Sequence, residues 1–119
     1  MFKEILENIV ISCDGGVGAV LMGFDGIPID QFVREENPID LNQVAIEYAN
    51  VTKEIRRAAE VLKTGALQEV AIKTDCYYVI IRALTEDYFV ALTLTHDGNY
   101  GQGRYLLMRE AGNFCQELV

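Results

Sequence analysis

Residues 17–29 read VGAVLMGFDGIPI. Two apolar runs, 17–24 and 27–32, flank the dipeptide Asp25-Gly26, and Asp-Gly between two such runs is a strong signal for a β-hairpin. The first run carries apolar side chains at both odd and even positions, so this strand is expected to be covered on both faces. Because Pro28 has no amide hydrogen, the second strand is predicted to lie at an edge of the sheet.

Three further strands are predicted downstream, from runs rich in Val, Ile, Tyr, Phe and Thr at 67–74, 77–84 and 88–95. The connections between them are short enough for hairpins. The run 67–74 has the weakest apolar pattern and carries Glu69 and Lys73, so it is expected at the other edge of the sheet.

Three helices complete the pattern. Residues 2–13 repeat apolar side chains at helical spacing and end at Asp14-Gly15-Gly16. A long helix is predicted from Leu41, capped by Asp40, to about Thr64. After a glycine-rich loop at 96–103, a last helix is predicted from about Arg104. The order α-β-β-α-β-β-β-α predicts one α+β domain over residues 1–119, layered α/β/α, with a five-stranded antiparallel sheet, the terminal helices on one face and the long helix on the other.

The long helix carries two stripes and an outward arc. The large apolar stripe, expected to face the sheet, comprises Leu41, Val44, Tyr48, Val51, Ile55, Ala58 and Leu62. The small stripe, rotated by roughly 90°, holds Ala45, Ala49, Thr52, Arg56 and Ala59, and its small side chains would let another helix come close. The outward arc consists of Asn42, Ile46, Asn50, Lys53 and Arg57. Ile46 and Val61, which lie toward the polar side, are either stray apolar residues of an amphipathic helix or part of an interface.

Composition excludes several functional classes. The chain has 119 residues, a formal net charge of −8 and a pI of about 4.5, a balance that would repel a nucleic-acid backbone or an anionic membrane surface. No apolar run is long enough to span a bilayer, and residues 1–7 do not have the pattern of a signal peptide. The expected location is therefore the cytoplasm.

Catalytic and metal chemistry find little support in the sequence. Gly15-Gly16-Val17-Gly18 leads into a strand and lacks the Lys-Ser or Lys-Thr of a phosphate loop. His96, the one histidine, lies in the turn sequence His96-Asp97-Gly98-Asn99. The acidic pairs Glu35-Glu36 and Glu86-Asp87 fall in polar loops, where they are expected to be solvated.

The three cysteines, Cys13, Cys76 and Cys115, form no C-x-x-C pair and are expected to fill apolar sites as reduced thiols. Gly101-Gln102-Gly103 lacks the third glycine of a dinucleotide fingerprint. We therefore predict no catalytic, cofactor-binding or metal-binding residues, and a protein that is not an enzyme.

In this order of elements, residues 17–29 resemble the opening hairpin of the Roadblock (dynein light chain) superfamily. The long helix from Leu41, its Ala and Thr stripe and the three following strands are also similar. Residues 99–107, NYGQGRYLL, resemble the Asn-x-Gly-x-x-Arg start of the last helix of the family. The resemblance covers nearly the whole chain and is strongest to bacterial members of the MglB type.

The resemblance implies a homodimer in which the third strands and the long helices of two subunits pair. The expected dimer interface comprises Ala45, Ala49, Thr52, Arg56, Ala59, Val70 and Ile72. It also implies that the joined sheet presents the long helices to a small Ras-like GTPase, which would meet the outward arc. The protein would then be a non-catalytic regulator or scaffold in polarity, motility or signalling, and whether it also stimulates GTP hydrolysis stays open.

A second function is compatible with the same architecture. A sheet of profilin-like or PAS-like type can serve as a small-ligand sensor, which would need a sizeable apolar cavity. Large side chains are available to fill that space, namely Met22, Phe24, Ile80, Ile81 and Phe89. This favours the GTPase regulator over the sensor.

Overall fold

The computed structural model describes residues 1–34 and 39–118. Its elements follow the predicted order: α1 (Phe2–Ser12), β1 (Gly16–Gly23), β2 (Pro28–Val33), α2 (Leu41–Leu62), β3 (Glu69–Lys73), β4 (Tyr77–Ala83), β5 (Tyr88–Thr95) and α3 (Tyr100–Glu117). The acidic pair Glu35-Glu36 and the middle of the predicted loop 33–40 lie outside the described residues.

The five strands form one antiparallel sheet in the order β2-β1-β5-β4-β3. The predicted sheet type is confirmed, and so are the edge positions of β2, which contains Pro28, and of β3. β1 is buried along its whole length, as its apolar residues on both faces require.

Two core clusters lie on opposite faces of the sheet. One joins α1 and α3 to the sheet and includes Leu6, Ile9, Leu92, Leu107 and Phe114. The other lies under α2 and includes Val20, Met22, Phe24, Leu41 and Phe89. The predicted division of the helices between the two faces is therefore confirmed.

The last helix begins four residues before the predicted Arg104. The Asn99 side chain accepts a hydrogen bond from the backbone N–H of Gln102 at 3.0 Å, so Tyr100 is the first helical residue. Gly101 and Gly103 therefore belong to the helix and not to the loop. A Cβ atom at position 103 would lie 3.0 Å from Leu92 Cδ2 and 3.2 Å from Ile80 Cδ1, so glycine lets this turn approach the sheet closely.

The long helix ends at Leu62, slightly before the predicted Thr64. Lys63 adopts a left-handed conformation with φ 56°, and its N–H donates to the carbonyls of Ala59 and Glu60. At the other end, the Asp40 side chain accepts a hydrogen bond from the Gln43 N–H at 3.2 Å, which confirms the predicted cap.

Candidate protein-binding surface

The face that α2 presents to the sheet differs from the prediction. Ala45, Ala49 and Thr52 are buried against the sheet of their own chain. Arg56 and Ala59, on the same small stripe, are half-buried. The expectation that this stripe faces a partner helix is therefore wrong for its three buried members.

The reason lies in the strands beneath the helix. Met22, Phe24 and Phe89 are all buried there, and the rings of Phe24 and Phe89 lie 4.9 Å apart between their centroids. These bulky side chains fill the layer between sheet and helix, so only small side chains fit on the facing side of α2. The Arg56 guanidinium covers the Phe24 ring at 4.1 Å from its centroid, which is cation–π geometry.

The large apolar stripe consequently points away from the sheet along most of its length. Val51 is 53% exposed, Ile55 38% and Leu62 71%, and Ala58 is exposed as well. Val44 and Tyr48 are half-buried against the core, and they line a shallow groove of about 300 Å³ with Ile39 and Gln43. Leu41 alone in this stripe is fully buried. The stripe is thus an apolar surface on one flank of the helix.

The outward arc lies on the opposite flank, because α2 turns by about 100° per residue. Ile46 is 40% exposed, and Asn50, Lys53 and Arg57 are exposed. Asn42 is half-buried, and its Oδ1 atom is buried without a hydrogen-bond partner in the part of the chain that is described. Arg57 makes one exposed ion pair, 3.4 Å from Glu54, so its charge stays accessible.

The edge strand β3 has one apolar and one polar side. Val70 and Ile72 are half-buried against the core cluster under α2, in the same layer as the large apolar stripe. On the other face, Arg104 Nε donates to Glu69 Oε1 and Oε2 at 2.9 and 2.8 Å. β3 therefore contributes both aliphatic and charged side chains to the free edge of the sheet.

Two tyrosine rings lie next to Glu69 and Lys73, on the polar side of β3. The rings of Tyr78 and Tyr100 stack with centroids 4.8 Å apart, and Lys73 Nζ lies 5.2 Å from the Tyr78 centroid. Partial burial and the nearby Glu69 carboxylate raise the pKa of the Tyr100 hydroxyl, which donates to Glu69 Oε2 at 3.5 Å. Lys73 and Glu69 thus lie at the two ends of a row of side chains whose middle members are Tyr78 and Tyr100.

Large side chains fill the interior, and the three thiols differ in their exposure. Met22, Phe24, Ile80, Ile81 and Phe89 are all buried. Burial raises the pKa of the Cys13 thiol, whereas Cys76 is exposed in the β3–β4 turn, contrary to the prediction that all three thiols fill apolar sites. Within residues 1–34 and 39–118, no group of three His, Cys, Asp or Glu is placed to hold a metal ion, and no helix could cross a membrane.

Comparison with known proteins identifies the family. No protein-family model and no curated protein matches the sequence. Among solved structures, MglC from Myxococcus xanthus is 40% identical, with 96% of each chain covered and a TM-score of 0.70. A Roadblock/LC7 domain from Streptomyces avermitilis is 14% identical and has a TM-score of 0.86. The match covers 98% of this chain and 96% of that domain.

The gliding protein MglB from Thermus thermophilus is 16% identical, covers 95% of this chain and 84% of its own, and has a TM-score of 0.83. At this identity the MglB and Streptomyces structures show the shared fold alone, whereas the likeness to MglC extends to the sequence along nearly the whole chain. The chain therefore belongs to the family of MglC, and its fold is that of Roadblock/LC7 domains, as the hairpin at 17–29 and the elements around it indicated.

Proposed function

We propose that the protein is a non-catalytic, homodimeric regulator or scaffold in the cytoplasm that binds a small Ras-like GTPase. The observation that carries the proposal is the division of α2 into two free flanks, one apolar and one with exposed cationic side chains. Two such flanks can serve two partners at once, a second subunit and a different protein.

The dimer seam of the proposal differs from the one deduced from the sequence. The large apolar stripe, with Val51, Ile55 and Leu62, takes the place of the buried Ala45, Ala49 and Thr52. Val70 and Ile72 stay in the seam, since they lie at the free sheet edge in the same layer. An exposed apolar flank beside an unpaired strand is a surface that a second copy can cover around one two-fold axis.

The GTPase is proposed to contact the outward arc. Ile46 supplies an apolar anchor there, and Lys53 and Arg57 supply positive charges in a protein whose net charge is −8. Anchors of this kind commonly dominate the affinity of protein interfaces. Asn42 is a weaker member of the set, because much of its surface is already covered by its own chain.

The experiment is affinity purification from source lysate with the tagged wild-type protein, followed by identification of captured Ras-like GTPases by mass spectrometry. A captured GTPase is then purified, and its affinity is measured in the GDP form and with a non-hydrolysable GTP analogue. Nucleotide-dependent binding supports the proposal. Failure to bind any Ras-like GTPase of the source organism in either form contradicts it.

We expect Ile46→Asp, or Lys53→Glu combined with Arg57→Glu, to weaken binding of that GTPase by more than about 1 kcal/mol, roughly fivefold in Kd. The changed side chains are exposed, so folding and dimerisation should hardly change. Isothermal titration calorimetry measures the effect.

Val61→Asp is the matched control, because Val61 is an exposed aliphatic residue near the far end of the same helix. It should bind as tightly as the wild type. If the Ile46 and Lys53/Arg57 variants also keep wild-type affinity, the GTPase binds elsewhere.

A further inference from the structure

The outer face of α3 carries a row of four residues at intervals of four, three and four positions. This α3 row consists of Gly101, Tyr105, Met108 and Gly112. The spacing keeps the four positions on one line along the helix, and it is the spacing of the a and d positions at which two helices pack. All four residues are exposed, and the Tyr105 and Met108 side chains are each 54% exposed. The α3 row is therefore a helix-packing pattern that the described part of the chain leaves uncovered.

The two glycines of the α3 row are not required by the packing of the described residues. A Cβ atom at Gly112 would meet nothing within 4 Å, and one at Gly101 would meet only Asn99 Oδ1 at 3.7 Å, an ordinary contact. Within a helix, glycine lowers stability relative to alanine, so Gly112 weakens α3 without a compensating contact to the sheet. A missing side chain at each end of the row does let the backbone of another helix come close.

The positions that flank the α3 row carry positive charges and no negative ones. Arg104 directly precedes Tyr105, and Arg109 directly follows Met108. In the heptad notation of paired helices these are g and e positions, which face the edges of the partner helix. The remaining e and g positions over residues 102–116 are uncharged, namely Gln102, Ala111 and Gln116. An acidic partner helix would thus meet no like charge along these edges.

Each of the two arginines stands in front of the carboxylate with which it pairs. Arg104 is 59% exposed, whereas Glu69, its partner at 2.8 Å, is 17% exposed. Arg109 is 42% exposed, whereas Glu110, its partner at 2.9 Å, is 13% exposed. The Arg109 guanidinium also lies 6.0 Å from the centroid of the Tyr105 ring. The outward side of both ion pairs is therefore positive, although the chain as a whole has a net charge of −8.

The same charges disfavour the pairing of two α3 rows with each other. In a parallel pair of helices, g positions lie next to e positions, so Arg104 would face Arg109 of the other copy. In an antiparallel pair, g positions meet g positions and e positions meet e positions, so identical arginines would face each other. Like charges brought together in an interface suppress that pairing. The complementary occupant is a helix with acidic residues at its own e and g positions.

We propose that the α3 row binds an amphipathic helix of another protein, whose apolar stripe is flanked by glutamate or aspartate side chains. Tyr105 and Met108 fill the middle of the contact, and the glycines let the two backbones approach at its ends. Arg104 and Arg109 bind the acidic side chains. Because α3 and α2 cover opposite faces of the sheet, this surface leaves the outward arc of α2 free and does not depend on the proposed GTPase.

The first test uses two synthetic peptides of three heptads, with leucine at a, alanine at d and either glutamate or lysine at every e and g position. Fluorescence anisotropy measures their binding to the full chain. A net charge of −8 would by itself favour the lysine peptide, so tighter binding of the glutamate peptide, by at least about tenfold, reports the local site. Arg104→Glu combined with Arg109→Glu should reverse the preference. Equal affinities, or no binding of the glutamate peptide at about 100 μM, overturn the proposal.

The apolar part of the contact is tested with the glutamate peptide. Tyr105→Ala combined with Met108→Ala should weaken binding at least about tenfold, and Gly112→Leu should weaken it by keeping the backbones apart. Thermal unfolding should hardly change, because these positions are exposed. Val61→Ala, at an exposed aliphatic residue of α2, is the matched control and should bind like the wild type. Wild-type affinity of both α3 variants overturns the proposal.

Photo-cross-linking tests the natural occupant. The full chain with p-benzoylphenylalanine in place of Tyr105 is produced in the source organism and irradiated, and the cross-linked segment is identified by mass spectrometry. An amphipathic helix of another protein with acidic flanks supports the proposal, provided that Arg104→Glu with Arg109→Glu abolishes the adduct. Cross-links only to a second copy of the chain or to a segment without this pattern overturn it, and so does the absence of any cross-link.

Discussion

Val51→Asp combined with Ile55→Asp is expected to convert the homodimer into a monomer at micromolar concentration. Both side chains lie on the exposed flank of α2, and both become buried in the proposed seam. Two carboxylates would then be desolvated next to their symmetry copies without cationic partners. The dimer Kd should rise more than about 100-fold, about 3 kcal/mol, as measured by sedimentation equilibrium.

Ile46→Asp is the matched control for this effect, because it places the same charge on the other flank of the same helix. It should leave the dimer intact, and both proteins should keep the secondary structure of the wild type. If the Val51→Asp/Ile55→Asp protein still sediments as a tight dimer, the large apolar stripe is not part of the dimer interface.

Phe114→Ala is expected to cost about 3–5 kcal/mol of the free energy of unfolding, the usual range for a buried Phe. Phe114 is fully buried in the core between the terminal helices and the sheet, and its ring lies 6.4 Å from the ring of Phe2. Its removal leaves a cavity at the contact between α1 and α3. Urea denaturation at one fixed protein concentration measures the loss, since dimerisation also contributes to stability.

Met108→Ala provides the comparison on the same helix. Met108 is 54% exposed, so its replacement should change the free energy of unfolding by less than about 0.5 kcal/mol. Equal losses for the two variants would show that Phe114 does not anchor the helix as the structure indicates.

The order of elements could be predicted because each one carries a local signal. Asp25-Gly26 marks a tight turn, Asp40 marks a helix start, and the β-branched and aromatic residues of 77–84 and 88–95 mark strands. These signals depend on neighbours along the chain alone, so the sheet, its antiparallel pairing and its edge strands followed from the sequence.

Local signals could not predict which stripe of α2 packs against the sheet. Its two stripes are about 90° apart, and hydrophobic periodicity favours the one with larger side chains. The choice between them depends on the thickness of the layer that Met22, Phe24 and Phe89 fill, which is a property of distant strands. Bulky residues on the facing strand, set against alanines on the helix, are the signal that could have identified the exposed flank.

The start of α3 was misplaced for a related reason. Glycines at 101 and 103 lower the intrinsic preference for helix, so the local signal favoured a loop. The Asn99 cap and the close contact of Gly103 with Leu92 and Ile80 outweigh that preference. The resemblance at 99–107 contained this start, whereas propensity alone did not.

The central place of β1 also has a consequence during protein synthesis. β1 pairs with β5 on its inner side, with Gly23 opposite Tyr88, so the middle of the sheet joins two distant parts of the chain. At about 5–20 residues per second, a ribosome needs roughly 3–13 s to add the intervening segment. For that time β1 has β2 as its only strand neighbour, although both of its sides pair with strands in the finished sheet. The interval in which the nascent chain can bind a chaperone or misassemble is therefore set by the sequence distance between β1 and β5.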